Sequence, residues 1–313
     1  MRKPTLNIIV PCYNEDESLR LLMPALKKAM KGAEVTWSVI LVDDGSQQDG
    51  VLAAQAVAKA HKNVSLIALA RNFGKEIALS AGLHSSQADA VIMMDADLQH
   101  PPRYIPEFIE AWRGGQQVIV GVRRTEGKES TFKHLMSKLF YAIINRISET
   151  RLMPKATDFR LLDREVVEAF NAMSENNRIT RGMIDWLGYQ RSYVYFDADE
   201  RQAGAASYSV RKLFKLAADT LVSMSLFPLR FTIYLGVIIT LFAGSLGLFI
   251  GVSKYLLDDK FGFTGPAALG TLTLFLVGIV LTNIGFLGLY VANIHQQVKG
   301  RPLYAINKRN SIR

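Results

Sequence analysis

Cysteine is almost absent from this chain: Cys12 is the single one among 313 residues. An intrachain disulfide is therefore excluded, and a reducing compartment is expected. The sequence also lacks internal repeats and low-complexity segments. Although the formal net charge is +9, no recognised nucleic-acid-binding motif accompanies it, so a nucleic acid is not the expected partner.

Charged side chains are missing from two long stretches. Residues 231–253 and 264–294 contain no Asp, Glu, Lys or Arg. Each stretch exceeds the roughly 20 residues that a helix needs to cross a bilayer. A short polar connector separates them, which predicts a hairpin of two transmembrane helices at about 231–256 and 267–293. A buried helical pair in a soluble core is the alternative.

The basic residues around these stretches predict an orientation. They flank the outer ends of the hairpin: Arg211, Lys212, Lys215, Arg230, Lys299, Arg301, Lys308, Arg309 and Arg313. By the positive-inside rule, both termini are expected in the cytoplasm. No apolar segment of signal type precedes the first strand-like run. We therefore expect a multi-pass protein of the inner (plasma) membrane, whose positive charge attracts anionic lipid and phosphorylated substrates.

The first 125 residues alternate between strand and helix patterns. Short apolar runs predict strands at Leu6–Val10, Ser38–Val42, Val64–Leu69, Ala90–Met94 and Gln117–Gly121. Amphipathic segments between them predict helices at Glu15–Met30, Gly50–His61, Lys75–Ser85 and Pro102–Trp112. This order indicates an α/β fold with a mostly parallel sheet and helices on both faces.

The remainder of the chain is less regular. Residues 126–156 resemble an interrupted basic helix, and residues 157–200 return to mixed α/β patterns. Apolar residues then recur at helical spacing over 210–229, which predicts an amphipathic juxtamembrane helix; a core-packing helix fits the same periodicity. The predicted division is a catalytic domain over 1–209, this helix, the transmembrane region over 230–294, and a basic cytoplasmic tail over 295–313.

Two aspartates, Asp95 and Asp97, follow the fourth predicted strand directly. Open α/β sheets bind ligands at the carboxyl ends of their strands. Carboxylates are ligands for Mg²⁺ or Mn²⁺, and Mg²⁺ usually binds one or two carboxylates together with substrate phosphates. The pair predicts a metal held against a diphosphate, with a solvated acidic turn as the alternative.

Polar motifs also close the first two strands. They are Pro11–Glu15 and Val42–Ser46. Asp43 or Asp44 could accept hydrogen bonds from a ribose or a base, as acidic groups after a strand do in nucleotide sites. Alone, Asp-Gly-Ser would indicate only a turn capped by Asp. The presence of polar motifs at three neighbouring strand ends favours a nucleotide site instead.

Together these motifs resemble family 2 glycosyltransferases. The motifs are Pro11–Glu15, Val42–Ser46, Asn72–Lys75, Asp95–Pro102 and Asp158–Arg164. More narrowly, they resemble the polyprenyl-phosphate type, which includes bactoprenol (undecaprenyl-phosphate) glucosyltransferases and dolichol-phosphate mannose synthases. The resemblance covers nearly the whole chain. It implies a GT-A-type nucleotide-sugar domain, a divalent metal (Mg²⁺ or Mn²⁺) and an inverting transfer to a lipid phosphate.

The resemblance also assigns roles to side chains. The nucleotide-sugar pocket would contain Pro11, Tyr13, Glu15, Asp44, Asp95 and Gln99. Asp97, with Asp95, would bind the metal and the diphosphate. The acceptor phosphate would contact Arg123, Arg124, Arg201, Ser207 and Lys212. Two alternatives stay open: the arginines after the fifth strand as a solvated basic loop, and Asn72–Lys75 as a tight turn with Lys75 either near phosphate or exposed.

Asp158 is the expected catalytic residue beside Asp97. A hydroxyl acceptor would need a carboxylate there as general base. A lipid monophosphate has a second pKa of roughly 6, so it is largely a dianion at neutral pH. Asp158 would then orient Arg160 or the acceptor, or take a residual proton. A buried structural Asp–Arg pair is the alternative.

The expected function is transfer of a sugar to undecaprenyl phosphate on the cytoplasmic leaflet, with UDP-glucose as the expected donor. Other donors, such as UDP-N-acetylglucosamine or an aminoarabinose nucleotide, are alternatives. A processive polysaccharide synthase is disfavoured because the chain has no Arg-Trp dipeptide. A non-catalytic membrane scaffold is the alternative from another class. The resemblance further implies a homo-oligomer, such as a tetramer, bound to the lipid bilayer.

Overall fold

The computed structural model describes residues 2–124, 153, 155–176, 178–197 and 265–312, with isolated positions between 238 and 252. The chain forms two compact units. The first contains Met1–Tyr208 together with Arg301–Arg313, and the second contains Ser209–Gly300.

The first unit is built on one seven-stranded sheet of order β3-β2-β1-β4-β6-β5-β7. The strands are β1 (Thr5–Cys12), β2 (Thr36–Asp43), β3 (Val64–Ala68), β4 (Ala90–Met93), β5 (Val118–Arg123), β6 (Ala156–Asp163) and β7 (Arg191–Phe196). Only β6 runs antiparallel to its neighbours, β4 and β5. The predicted mostly parallel sheet is therefore confirmed.

Helices connect and flank these strands. In the described part of the first unit they are α1 (Asp16–Ala29), α2 (Gln48–Ala60), α3 (Lys75–Ser85), α4 (Ile105–Arg113), α5 (Arg164–Ala172) and α6 (Thr180–Trp186). A 3₁₀ turn over Pro102–Tyr104 leads into α4, where proline is tolerated because the first helical turn has no intrahelical partner for its amide.

Both faces of the sheet are buried. Along β1, Ile8 and Val10 belong to one apolar cluster, whereas Ile9 between them belongs to a second cluster on the other face. This alternation follows from the two-residue period of a strand. Because helices cover both faces, the central strands have near-continuous apolar sequences, which is the pattern that predicted them.

The strand order reverses between β1 and β4. From β1 the chain continues outward through β2 and β3, and it then returns to the other side of β1 as β4. Such a reversal opens a crevice at the carboxyl ends of the strands. The first residues of antiparallel β6 reach the same edge, since Met93 of β4 pairs with Arg160.

The second unit contains one long described helix, α7 (Gly265–Val298), of 34 residues. The second predicted span, 267–293, falls within it. Among the described residues, no helix was found that is long and apolar enough to cross a membrane. The predicted hairpin is therefore unconfirmed. The juxtamembrane helix at 210–229 and nearly all of the first span lie outside the described residues.

Candidate active site

The loops after β1 and β2 are tied together by side chains. The amide of Asn14 donates to Ser46 Oγ at 2.9 Å, and the amide of Gln47 donates to Asn14 Oδ1 at 2.9 Å. Asn14 adopts a positive φ of 54°, a conformation that Asn tolerates better than most residues. The two strand-end motifs therefore form one interlocked rim of the crevice.

Asp44 anchors the loop between β3 and α3. Its Oδ1 accepts the amide of Phe73 at 2.8 Å, and its Oδ2 accepts the amide of Gly74 at 2.9 Å. Burial raises the pKa of the Asp44 carboxyl, although the two amides oppose that shift. Asp44 was assigned to the nucleotide pocket; in the structure its carboxylate holds backbone, and that predicted role stays a prediction.

Gly45 allows this loop to pass close to β2. Its φ is +69°, and a Cβ there would overlap the backbone of Arg71. Only glycine combines a left-handed backbone with such a close approach at little cost. The Asp-Gly-Ser motif after β2 therefore serves packing of the β3–α3 loop as well as any contact with a ligand.

Lys75 joins two carboxylates at the centre of the crevice. Its Nζ lies 2.6 Å from Asp95 Oδ1 and 2.9 Å from Asp158 Oδ2. These carboxylates follow β4 and begin β6, respectively, so three separate elements meet at one ammonium group. The two aspartates raise the pKa of Lys75 despite its desolvation, and the ammonium is fully charged at neutral pH.

Asp158 is held by a second cation. Arg181 Nη2 lies 3.3 Å from Asp158 Oδ1, and the arginine side chain is 44% exposed, whereas Asp158 is 10% exposed. Burial opposes ionisation of Asp158, but Lys75 and Arg181 outweigh it and bring its pKa to about 2. At neutral pH Asp158 is therefore a carboxylate, and it is too weak a base to remove a proton from a phosphate monoester.

Asp97 lies beside this cluster in a tight turn. It is buried, and its Oδ1 accepts the amide of Gln99 at 3.1 Å. His100 is also buried: its ring stacks on Phe159 with the centroids 5.3 Å apart, and its Nδ1 accepts the amide of Asp95 at 3.0 Å. Burial lowers the pKa of His100, which keeps the imidazole neutral in that acceptor role.

The donor set at this turn suits a divalent cation that is shared with a substrate. Within the described residues, no group of three or more His, Cys, Asp and Glu side chains is arranged to hold a metal by itself. Mg²⁺ does not require such a cage, since it usually takes one or two carboxylates plus phosphate oxygens and waters. Asp95 and Asp97, separated by one residue, provide that minimal set.

Arg160 has a different partner from the one the sequence predicted. It is 1% exposed, and its Nη1 donates to Asp185 Oδ1 at 2.9 Å. Asp185 also lies 3.5 Å from Arg191. The ion-pair partners of Asp158 are Lys75 and Arg181 instead. No direct contact supports the prediction that Asp158 orients Arg160, because the side chain of Arg160 pairs with Asp185 of α6.

The other predicted side chains divide by exposure. Pro11 is buried within β1, whereas Tyr13 is 47% exposed at the rim. Glu15 accepts a hydrogen bond from Ser18 at 2.7 Å. Exposed Arg123 is the last residue of β5 and exposed Arg124 follows it, with Arg124 Nη1 3.4 Å from Asp197 Oδ2. These residues stay predictions. The assigned acceptor residues Arg201, Ser207 and Lys212 lie outside the described residues.

Sequence reasoning missed part of this cluster. The sequence places Lys75 either near a phosphate or in an exposed position, and it predicts no role for Arg181 or His100. Lys75 carries a usable signal, since it is the first residue of a helix that follows a strand-end loop. Arg181 carries none: it lies in α6, distant in sequence from each strand-end motif, and only the fold brings it to Asp158.

Comparison with known proteins agrees with the geometry. The family description "Glycosyl transferase family 2" matches residues 7–170. The chain is 36% identical over 302 residues to uncharacterized glycosyltransferase sll0501 of Synechocystis sp., which covers 96% of this chain and 94% of that protein. It is 33% identical over 307 residues to the SfII prophage-derived bactoprenol glucosyl transferase of Shigella flexneri, with 97% of each chain covered.

One match among solved structures is weaker than these sequence matches. It is the glucosyl-3-phosphoglycerate synthase of Mycobacterium tuberculosis in complex with Mn²⁺ and UDP-glucose, with 17% identity, a TM-score of 0.49, and coverage of 70% of this chain and 77% of that one. The sequence relatives and the matched family description identify the chain on their own. The predicted family is confirmed: this protein belongs to glycosyl transferase family 2.

Proposed function

We propose that this protein transfers glucose from UDP-glucose to the phosphate of a polyprenyl phosphate, with undecaprenyl phosphate as the acceptor. The observation that carries the proposal is the Lys75–Asp158–Arg181 cluster at the carboxyl edge of the sheet. The name of the Shigella relative, a bactoprenol glucosyl transferase, supports the choice of sugar and acceptor.

The cluster suits a reaction in which phosphate is the nucleophile. An acceptor phosphate with a second pKa of roughly 6 is mainly a dianion at neutral pH, so it needs no general base. With a pKa of about 2, Asp158 is unfit to act as one. We assign Asp158 a positioning role: it holds the ammonium of Lys75 and the guanidinium of Arg181 where phosphates enter the crevice.

Arg181 is the cation that we assign to the acceptor phosphate. Its side chain is nearly half-exposed, so the guanidinium can turn toward an incoming phosphate while it stays near Asp158. Arginine presents a planar fork that matches phosphate oxygens in a bidentate manner. Lys75, which contacts both Asp95 and Asp158, is placed in the same proposal between the donor and acceptor halves of the site.

Asp95 and Asp97 would hold a divalent cation with the diphosphate of the donor. When bound, Mg²⁺ or Mn²⁺ supplies charge neutralisation for the leaving UDP. The dianionic acceptor would attack the anomeric carbon from the face opposite the departing diphosphate, which gives inversion. Asp97→Asn keeps an oxygen for the amide of Gln99 but removes the negative charge, so it should abolish transfer while leaving the fold intact. Sustained activity in a metal-free preparation with chelator would contradict the metal role.

We also propose that the reaction occurs at the cytoplasmic leaflet of the inner membrane, with the catalytic domain on the cytoplasmic side and the chain as part of a homo-oligomer. The two uncharged stretches and the basic residues at their outer ends support this location. A polyprenyl tail is insoluble in water, so a membrane-bound enzyme would meet this acceptor in the bilayer.

A donor panel tests the proposal. Membranes that contain the protein are incubated with undecaprenyl phosphate and, in turn, radiolabelled UDP-glucose, UDP-N-acetylglucosamine and an aminoarabinose nucleotide. We expect label in the lipid fraction from UDP-glucose, and loss of it in Arg181→Ala. Glu168→Gln is the matched control, because Glu168 pairs with Arg164 beyond the other end of β6. Transfer from another donor alone would reject glucose, and binding without transfer of any sugar would favour a scaffold.

A further inference from the structure

The C-terminal segment (residues 301–312) covers the open edge of the sheet. Three outward amide groups at this edge donate to it, those of Leu66, Ala68 and Ala70, at 2.7, 3.1 and 2.8 Å. Isolated antiparallel bridges join Leu66 to Ile312 and Leu69 to Ile306. An edge strand with unpaired amides is a liability that proteins usually cover. The segment therefore completes the sheet beside β3.

A side chain completes this pairing where the segment turns. The carbonyls of Ile312 and Ala305 accept two of the three amides, and Ser311 Oγ accepts the third, that of Ala68. Ser311 is itself fixed, since its hydroxyl donates to the carbonyl of Asn307 at 2.8 Å. The Ser311 hydroxyl thus accepts the amide of Ala68 in place of a backbone carbonyl, at the point where the segment turns away from the β3 edge.

The segment also contacts the far end of α3. The hydroxyl of Tyr304 lies 3.3 Å from His84 Nδ1, and the two ring centroids are 6.1 Å apart. His84 is in the last turn of α3, and Tyr304 packs against the apolar cluster that lines this helix. The segment therefore holds α3 near its carboxyl end and the chain just before its amino end.

Lys75, at the centre of the active site, lies between these two contacts in the sequence. The amide of Ala70 donates to Ala305, and Lys75 follows Ala70 by five residues. The amides of Phe73 and Gly74 are held by Asp44, and Lys75 Nζ then reaches Asp95 and Asp158. Gly74 has a φ of +101°, so the loop is held in a conformation that most residues avoid.

We propose that the C-terminal segment is a positioning element of the active site, which holds the β3–α3 loop and α3 so that Lys75 stays between Asp95 and Asp158. The segment begins three residues after α7 ends at Val298, so the chain that leaves the second unit returns directly to the catalytic unit. This inference goes beyond the proposed reaction, because it assigns a positioning role to residues that contact neither substrate.

Backbone amide exchange in the full-length protein tests the inference without any substrate. In Ser311→Ala combined with Tyr304→Phe, we expect exchange at Phe73 and Gly74 to accelerate roughly 3- to 10-fold, because only part of the free energy of the lost hydrogen bonds is transmitted to these two amides. Turnover with UDP-glucose should fall by a similar factor with little change in the KM for the donor. Lys75 is displaced in this variant, whereas the rim formed by the loops after β1 and β2 is unchanged.

Two further variants control the experiment. Ser311→Thr, made with Tyr304 in place, keeps the hydroxyl acceptor, so exchange at Phe73 and Gly74 should stay as slow as in the wild type. Ser65→Ala removes a hydroxyl of β3 that donates to the carbonyl of Val39 within the sheet, and it should leave the exchange rates of Phe73 and Gly74 unchanged.

Faster exchange at Leu66, Ala68 and Ala70 with no change at Phe73 and Gly74 would overturn the proposal, since the segment would then only cover the edge. This outcome is readable even if the protein transfers no glucose.

Discussion

Asp158 connects the electrostatics of the site to its pH dependence. Its pKa of about 2 lies below the ordinary value of an aspartate, so it stays ionised throughout the range in which the acceptor phosphate titrates. A rise in rate as the pH passes roughly 6 would then report loss of the second phosphate proton, and not a proton on Asp158.

Replacing Asp158 by Asn separates the two roles that the sequence left open. We expect turnover to fall because Lys75 and Arg181 lose their shared anchor, while the shape of the pH–rate profile between pH 6 and 8 and the affinity for UDP-glucose stay as in the wild type. A loss of the roughly 10²–10⁴ that general-base catalysis supplies, relieved as the pH rises, would show that Asp158 takes a proton after all.

Lys75 is the second residue whose charge should control turnover. Lys75→Met leaves Asp95 and Asp158 without the ammonium that they share, and like charges in one site oppose each other's ionisation. We expect turnover to fall roughly 10²-fold, as when a preorganised electrostatic group is removed from a site. Lys75→Arg should recover part of the rate. Equal turnover in Lys75→Met and wild type would remove this residue from the site.

At the scale of elements, the β3–α3 loop depends on the glycine that it passes. We expect Gly45→Ala to lower the free energy of unfolding by at least ~2 kcal/mol, from backbone strain and steric overlap together. Gly32→Ala is the matched control, because Gly32 also has a positive φ, +85°, but open space around it. Chemical unfolding of both variants measures how much free energy of unfolding the overlap with Arg71 costs beyond backbone strain. Similar losses of stability in the two variants would mean that the β3–α3 loop moves away from the new methyl group without cost.

Elements with local patterns were predictable from sequence, whereas contacts between distant elements were not. Predicted strands at Leu6–Val10 and Ala90–Met94 match β1 and β4 closely because apolar runs between turn residues are a local signal. The position of Asp95 at a strand end followed from them. The meeting of Lys75 with Asp158 depends on where β6 enters the sheet, and no periodicity encodes that.

The C-terminal segment illustrates the same limit. Its sequence is basic and has too short an apolar pattern to predict a strand, so only a tail was expected after α7. The bridge between Ile312 and Leu66 joins residues that are separated by more than three quarters of the chain. Pairing of that kind depends on an open edge that exists only after β3 has joined the sheet.

At the scale of the whole molecule, the proposed membrane topology makes its own prediction. A reporter fused after Arg313 should be cytoplasmic, and one inserted near Gly262 should lie on the opposite side, because the basic residues flank the outer ends of the uncharged stretches. Labelling of intact and opened cells distinguishes the two sides. Access to both positions from the cytoplasm alone would reject the two-span hairpin.

We expect the cluster of Lys75, Asp158 and Arg181 to bind a lipid phosphate that acts as the nucleophile, and a comparison of two acceptors tests this role. Purified full-length protein is given labelled UDP-glucose with either undecaprenyl phosphate or undecaprenol, which differ only in the phosphate. We expect transfer to the phosphate and none to the alcohol, because Asp158 cannot deprotonate a hydroxyl. Comparable transfer to undecaprenol, or no transfer to the phosphate, would contradict it.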